Sequence, residues 1–148
     1  DQLKERIKDD MKASMKSGEK VRLGVIRMIL AAIKQVEVDE RIELDDARII
    51  TVLDKMLKQR RESIKQYTDA GRLDLSAIEE AEVLVIQEFL PQALTETEID
   101  QMVAQAIAET GATSIKEMGA VMALLRPQML GRADMAVVSA RIKAGFAG

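Results

Sequence analysis

Apolar side chains along this chain recur at helical intervals. Leu3, Ile7, Met11 and Met15 are spaced four apart and predict an amphipathic helix that stops at Gly18. Lys4, Lys8, Lys12 and Lys16 run beside that stripe, with Glu5 and Asp9 three residues before Lys8 and Lys12 to offset the repulsion. The ridge is open to phosphates, or its stems simply lie along the apolar seam. From Lys20 to about Asp39 the residues are apolar on most of the helix circumference, which predicts the central, most buried helix. Lys20, Arg27 and Lys34 fall seven apart and share one face of it. Gly24 costs about 1 kcal/mol relative to alanine there, and close approach of a neighbouring helix would explain it.

A third helix is predicted from Asp45, which serves as N-cap with Leu44 and Ile49 as a hydrophobic staple. Ile49, Val52, Leu53, Met56, Leu57, Ile64 and Tyr67 mark its inner face, and Gly71 ends it. Ser76 and Glu79 form a capping box for a fourth, packed through Ala81, Val83, Leu84, Ile86, Phe89 and Leu90 and ended by Pro91. Three shorter helices follow. Thr95 and Glu98 cap the first, with Leu94 and Ile99 as staple and Gly111 as stop. Ser114 and Glu117 open the second, which runs through Met118, Val121, Met122 and Leu125 toward Pro127. The third follows Gly131–Asp134 and carries Val137, Val138 and Ile142.

No run alternates with a period of two, so the fold class is all-α, with Pro91–Leu94 as the boundary between two parts. We expect an N-terminal multihelical lobe of about four helices over 1–92 and a C-terminal three-helix lobe over 93–148, packed but hinged. The second carries its own caps and stops and is expected to fold alone with marginal stability.

Composition narrows the chemistry. The 148 residues include no Cys, His or Trp, one Tyr and two Phe. Without Cys and His there is no thiol nucleophile, zinc knuckle or Ser-His-Asp triad, and no metal or cofactor site is expected. Few rings are present to stack bases, which disfavours modules that read single strands that way. No phosphate loop of the GxxxxGK[ST] kind and no GxGxxG is present. Glu79 and Glu82 could place two carboxylates on one helix face for acid–base work, but acids in a first helical turn are favoured by the dipole in any case. The N-terminal residues are charged throughout and do not read as a signal peptide, and the longest apolar run, Met28–Ile33, is too short to cross a bilayer. A cytoplasmic location with no membrane contact is expected.

The net charge of −3 is unevenly distributed. Residues 1–67 hold 16 basic and 13 acidic side chains, residues 68–110 hold Arg72 against ten acids, and residues 111–148 hold five basic and two acidic. This basic–acidic–basic layout admits an anionic partner despite a pI near 5.2. The densest basic cluster is Lys58, Arg60 and Arg61 with Lys65, in the second half of the third helix, where cations also complement the dipole.

Several stretches together resemble one family. Lys116–Met122 with Gly119, then Arg126-Pro127, Gly131-Arg132-Ala133-Asp134, Val137-Val138 and Ile142-Lys143 resemble the signature of the YqeY-like family, similar to the tail domain of the tRNA-dependent amidotransferase B subunit (the GatB/YqeY motif). Val25–Met28, Ala31–Lys34, Lys58–Ser63, Ala70–Arg72 and Glu88–Pro91 resemble its N-terminal landmarks, so the resemblance spans the whole chain. Ala120, Ala123 and Met135 stand where the family's pattern has Lys, Gly and Gly.

The resemblance implies a tail-like module that contacts tRNA while amidation chemistry lies in other domains. It also implies, more distantly, a carbon–nitrogen ligase with glutamine as amido donor. Two readings follow. In the first, the chain binds tRNA or another structured RNA through phosphates, using Lys116, Arg126, Arg132, Arg141 and Lys143 with Lys58, Arg60 and Arg61. In the second, it docks on an amidotransferase or an aminoacyl-tRNA synthetase through the acidic stretch 68–110. Gly119, Pro127, Gly131 and Asp134 are expected to be structural. Arg132, directly before the last helix, either adds a phosphate contact to the free N–H groups there or pairs locally.

Overall fold

The computed structural model describes residues 2–147. Among them the chain is all-helical, without a strand, as expected: α1 (Gln2–Ser17), α2 (Lys20–Glu40), α3 (Asp46–Asp69), α4 (Leu73–Gln87), α5 (Glu96–Thr110), a 3-10 turn (Ile115–Glu117), α6 (Met118–Met129) and α7 (Met135–Ala147). The helices gather into two compact units, Asp1–Pro91 and Gln92–Gly148, each around its own apolar cluster.

In the first unit the core is built from Ile7 of α1, Ile26, Ile29 and Ile33 of α2, Ile49 and Leu53 of α3, and Ile86 with Phe89 at the end of α4. The four-residue stripe of α1 is only half used. Leu3 and Ile7 are buried, Met11 is partly buried, and Met15 is 54% exposed. A spacing of four drifts about 40° per step on a helix of 3.6 residues per turn. The inward position therefore passes to Ser14, which is buried and donates to Asp10 Oδ1 at 3.3 Å.

That polar end of α1 receives Arg22 of α2. Its Nε donates to Asp10 Oδ1 at 2.8 Å, Nη2 to Asp10 Oδ2, and Nη1 to Glu88. The Arg22 hydrogen bonds hold the Asp10 carboxyl below the usual carboxylate range, against burial, which pushes it up. A carboxylate depressed on folding contributes stability above its unfolded pKa near 3.8 and loses it as pH falls through the folded value. We expect Asp10→Asn to be less stable than the parent at pH 6. In urea unfolding the two midpoints should converge as the pH drops below about 4, because protonation of Asp10 costs the parent what the substitution already removed. A gap that stays constant down to the acid limit would show that the pair does not carry this pH dependence.

Two expectations about α2 and α4 are corrected. α2 is not buried all round: Val21, Met28 and Val38 are exposed, and a Cβ on Gly24 would meet nothing within 4 Å, so no neighbouring helix calls for that glycine. On α4, Leu84 is 66% exposed and Ala81 is exposed with it, so neither belongs to the core. α4 also begins earlier than the Ser76 box implies. Arg72 occupies its N-cap position, and Ser76 is buried inside the helix, donating to the Leu73 carbonyl. Asp45 does cap α3, accepting from the Arg48 N–H at 2.9 Å, with Leu44 and Ile49 both buried.

In the second unit Thr95 and Glu98 form the reciprocal capping box of α5. The box at Ser114 does not form. Its Glu117 turns instead to Thr113, whose Oγ1 donates to it at 3.1 Å, and the 3-10 turn leads into α6. Pro127 sits inside α6 rather than after it; the amide it lacks costs the helix one bond, to the Ala123 carbonyl, and α6 still closes with the Leu130 N–H on the Arg126 carbonyl at 3.0 Å. Val121, Leu125, Met129, Val138 and Ile142 are fully or almost fully buried, whereas Val137 is 46% exposed. The entering segment is fastened to the α6–α7 corner: the Leu94 N–H donates to the Arg132 carbonyl at 2.8 Å, and Arg132 Nε donates to the Gln92 carbonyl at 3.1 Å.

Candidate functional site

α3 runs 24 residues from its Asp45 cap, and its second half presents a basic ridge. Lys55, Lys58, Arg61 and Lys65 follow one another at intervals of three or four, keep to one flank of the helix and are all exposed. Over their ten-residue span the ridge is about 15 Å long. Among the described residues, none of the four has a carboxylate within ion-pair distance. Their side chains face water and are adjustable in position, on a flank they share with Asp54, Glu62 and Asp69 at helical spacing.

Arg60, in the middle of the same cluster, points the other way. Its guanidinium lies between α2 and α4, with Nη2 3.6 Å from Met28 Sδ and 3.9 Å from Glu82, and Nε 4.0 Å from Glu79. Nε is buried without a hydrogen-bond partner, and Nη1 reaches the Met56 carbonyl at 3.5 Å. Burial pushes the Glu82 carboxyl up, Arg60 pulls it down, and Glu79 adds to the rise. Glu79 and Glu82 thus share one internal cation.

In the second unit the five basic candidates divide. Lys116, Arg126 and Lys143 are exposed, and among the described residues none is within ion-pair distance of a carboxylate. Arg141 clamps α7 to α5, donating to Asp100 Oδ1 at 3.0 Å and lying 3.2 Å from a Glu96 carboxylate oxygen. Arg132 is half-buried in its bond to Gln92. Gly131 has φ +72°, a conformation that glycine adopts freely, and Asp134 caps α7 by accepting from the Ala136 N–H at 3.0 Å. Gly119 is exposed, with open space where a Cβ would stand.

These bonds set an expectation for the corner before α7. Asp134→Ala should cost about 1 kcal/mol, because the cap is removed. Arg132→Ala should cost a similar amount, about 1 kcal/mol, because it removes a charge-assisted bond to a backbone carbonyl. Thermal unfolding of the two variants checks this. An Arg132→Ala midpoint equal to the parent's would leave Arg132 free for a ligand.

Two features lie outside what the sequence pattern indicated. Lys55 extends the α3 ridge, and its spacing from Lys58 is signal enough to find it. The Asp10–Arg22–Glu88 network has no such signal, since its members are 12 and 66 residues apart. Among the described residues, no group of three carboxylates could hold a metal ion, and no helix is long and apolar enough to cross a membrane.

A family model described as Yqey-like protein matches residues 4–146. Three fungal relatives are each named Altered inheritance of mitochondria protein 41, mitochondrial. The one from Kluyveromyces lactis is 30% identical, over 93% of this chain and 72% of its own. The Pyrenophora tritici-repentis relative is 32% identical, over 93% of this chain and 77% of its own. The Lachancea thermotolerans relative is 32% identical over 70% of this chain, a match that spans 57% of its own length, under two thirds. These names overturn the cytoplasmic expectation. Composition and the absence of a long apolar run carry no information that separates one aqueous compartment from another.

Proposed function

This chain belongs to the YqeY-like family, and from that premise we propose that it is a non-catalytic helical module that binds tRNA or another structured RNA through phosphate contacts. The observation that carries this reading is the α3 ridge, four exposed cations with no ion pair among the described residues. Lys116, Arg126 and Lys143 supply three more in the second unit. Arg60, Arg132 and Arg141 are engaged in the architecture around them and are not counted among the phosphate contacts. With two Phe and one Tyr in the chain, base stacking plays little part, so recognition is by shape and backbone. The mitochondrial names of the fungal relatives support a mitochondrial setting for this binding.

The test is a titration of bulk tRNA against salt. Four phosphate contacts predict a slope of log affinity on log salt near −3, with little preference among RNA sequences. Affinity no different from that of a neutral control protein at about 50 mM salt ends the RNA reading. Docking on an amidotransferase or a synthetase through residues 68–110 then takes its place.

A further inference from the structure

The outermost face of α2 carries a row of cations that the packing of the unit does not use. Lys20, Arg27 and Lys34 stand seven residues apart, about 10 Å from one to the next and about 21 Å in all. All three are exposed, and among the described residues none is within ion-pair distance of a carboxylate. Gly24 and Ala31 lie between them on the same face and are also exposed. From Lys20 to Val36 the helix has no acidic residue, and Arg22, the fourth cation of that stretch, turns away to Asp10 and Glu88. Glu37, three residues after Lys34, is taken up by Lys4 at 2.7 Å and by the Leu44 N–H at 3.0 Å. The flank of α3, by contrast, interleaves its cations with Asp54, Glu62 and Asp69.

Two residues of this row work against the helix that carries them. Lys20 stands in the first turn, at the positive end of the dipole, where an acid would be favoured and none is present. Gly24 stands inside the helix, where alanine would serve better, and a Cβ there would meet nothing within 4 Å. Neither packing nor capping calls for them. A polyanion does: bare backbone at Gly24 lets a chain of phosphates lie close along the helix, and the cations on either side neutralise it. We infer that the α2 row is a second phosphate-binding track for structured RNA, an inference that rests on the RNA reading above. A bilayer of anionic lipid fits less well. An interfacial helix sinks large apolar side chains and keeps its cations on the opposite, polar face. Here the cations themselves hold the outermost line, with only Gly24 and Ala31 between them.

Filter binding of bulk tRNA to the full chain across a salt series tests it. Three further contacts should carry the parent's slope of log affinity on log salt from near −3, the value for the α3 ridge alone, to near −5. Arg27→Glu with Lys34→Glu should weaken binding at low salt about a hundredfold and flatten the slope by about two. Lys12→Glu with Lys16→Glu makes the same change in net charge on α1, whose lysines alternate with Glu5 and Asp9, and should cost about threefold at most. Gly24→Leu separates ligand from fold. Its unfolding midpoint should rise, because leucine is the better helix former, while its affinity falls about tenfold. Four results overturn the inference and leave the RNA reading in place: a parent slope that stays near −3, an Arg27 and Lys34 reversal with the parent's slope, a Lys12 and Lys16 reversal that loses as much, or a Gly24→Leu chain that binds as the parent does. A parent with no more affinity than a neutral control protein overturns both. Co-sedimentation with vesicles of equimolar phosphatidylcholine and phosphatidylserine is the remaining arm. Retention that depends on Arg27 and Lys34, and that tRNA does not displace, would make the row a lipid surface and overturn the inference as well.

Discussion

Phe89→Ala is expected to destabilise the Asp1–Pro91 unit by about 3–5 kcal/mol, the range for removing a buried ring that the surroundings cannot refill. Phe89 is 2% exposed and, with Ile86, closes the end of the core where α4 runs out. The ring also anchors two cations: the guanidinium carbons of Arg6 and Arg22 lie 5.3 Å and 5.9 Å from its centre. Arg6 further donates to the Glu88 carbonyl and Arg22 to the Glu88 carboxylate. Removing the ring thus leaves both arginines without the surface they rest on, beside a cavity. Urea unfolding followed by circular dichroism should show the effect as a lowered midpoint. Phe89→Leu, which keeps most of the burial but no π face, should recover all but about 1 kcal/mol. A Phe89→Ala cost under about 1 kcal/mol would mean that the end of α4 repacks freely.

Reversing Lys58 and Arg61 to glutamate is expected to weaken tRNA binding at low salt about a hundredfold and to flatten the salt slope by about two, one for each phosphate no longer neutralised. The weakening should be the same for unrelated RNA sequences, since phosphate contacts carry no base information. Arg60→Ala, from the same four-residue run, is the internal control. It should leave the slope unchanged and lower the unfolding midpoint, because its guanidinium joins α2, α3 and α4 inside the unit. Filter binding across a salt series measures the slopes, and urea unfolding the midpoint. Equal slopes for the parent and the double reversal would remove the ridge from the RNA surface.

The parts of this architecture that rest on neighbours in sequence could be read from the sequence. Asp45 and Thr95 cap the helices predicted for them because an N-cap bond spans three residues, and Gly111 ends α5 with φ +68° for an equally local reason. Where a local pattern had two uses, tertiary structure chose between them. Ser76 fits a capping box but is buried within α4, since Leu73 and Leu75 begin the helix a turn earlier. Ser114 is without its expected partner because Glu117 pairs with Thr113. The apolar circumference of α2 reads as burial, yet the number of helices that surround it is a property of the whole fold. Among the site residues, sequence placed Lys58 and Arg61 on a helix correctly but could not tell that Arg60, one position away, faces inward. A step of about 100° decides whether a cation meets water or Glu82.

The bond between Arg132 and Gln92 spans 40 residues and joins the start of the second unit to its last corner. During synthesis the chain emerges N-terminus first, so residues 92–94 leave the ribosome well before the residue that fastens them exists. Thr95 and Glu98 can begin α5 at once, because their bonds are local. The entrance of the unit stays untethered until residue 132 is out; translation, at about 5–20 residues per second, is the slow step, and closure of the loop follows far faster. The nascent second unit is therefore exposed to proteases and wrong partners for nearly the whole time it takes to make it, whereas α3 and α4, joined at Gly71, can pair as soon as both have been translated.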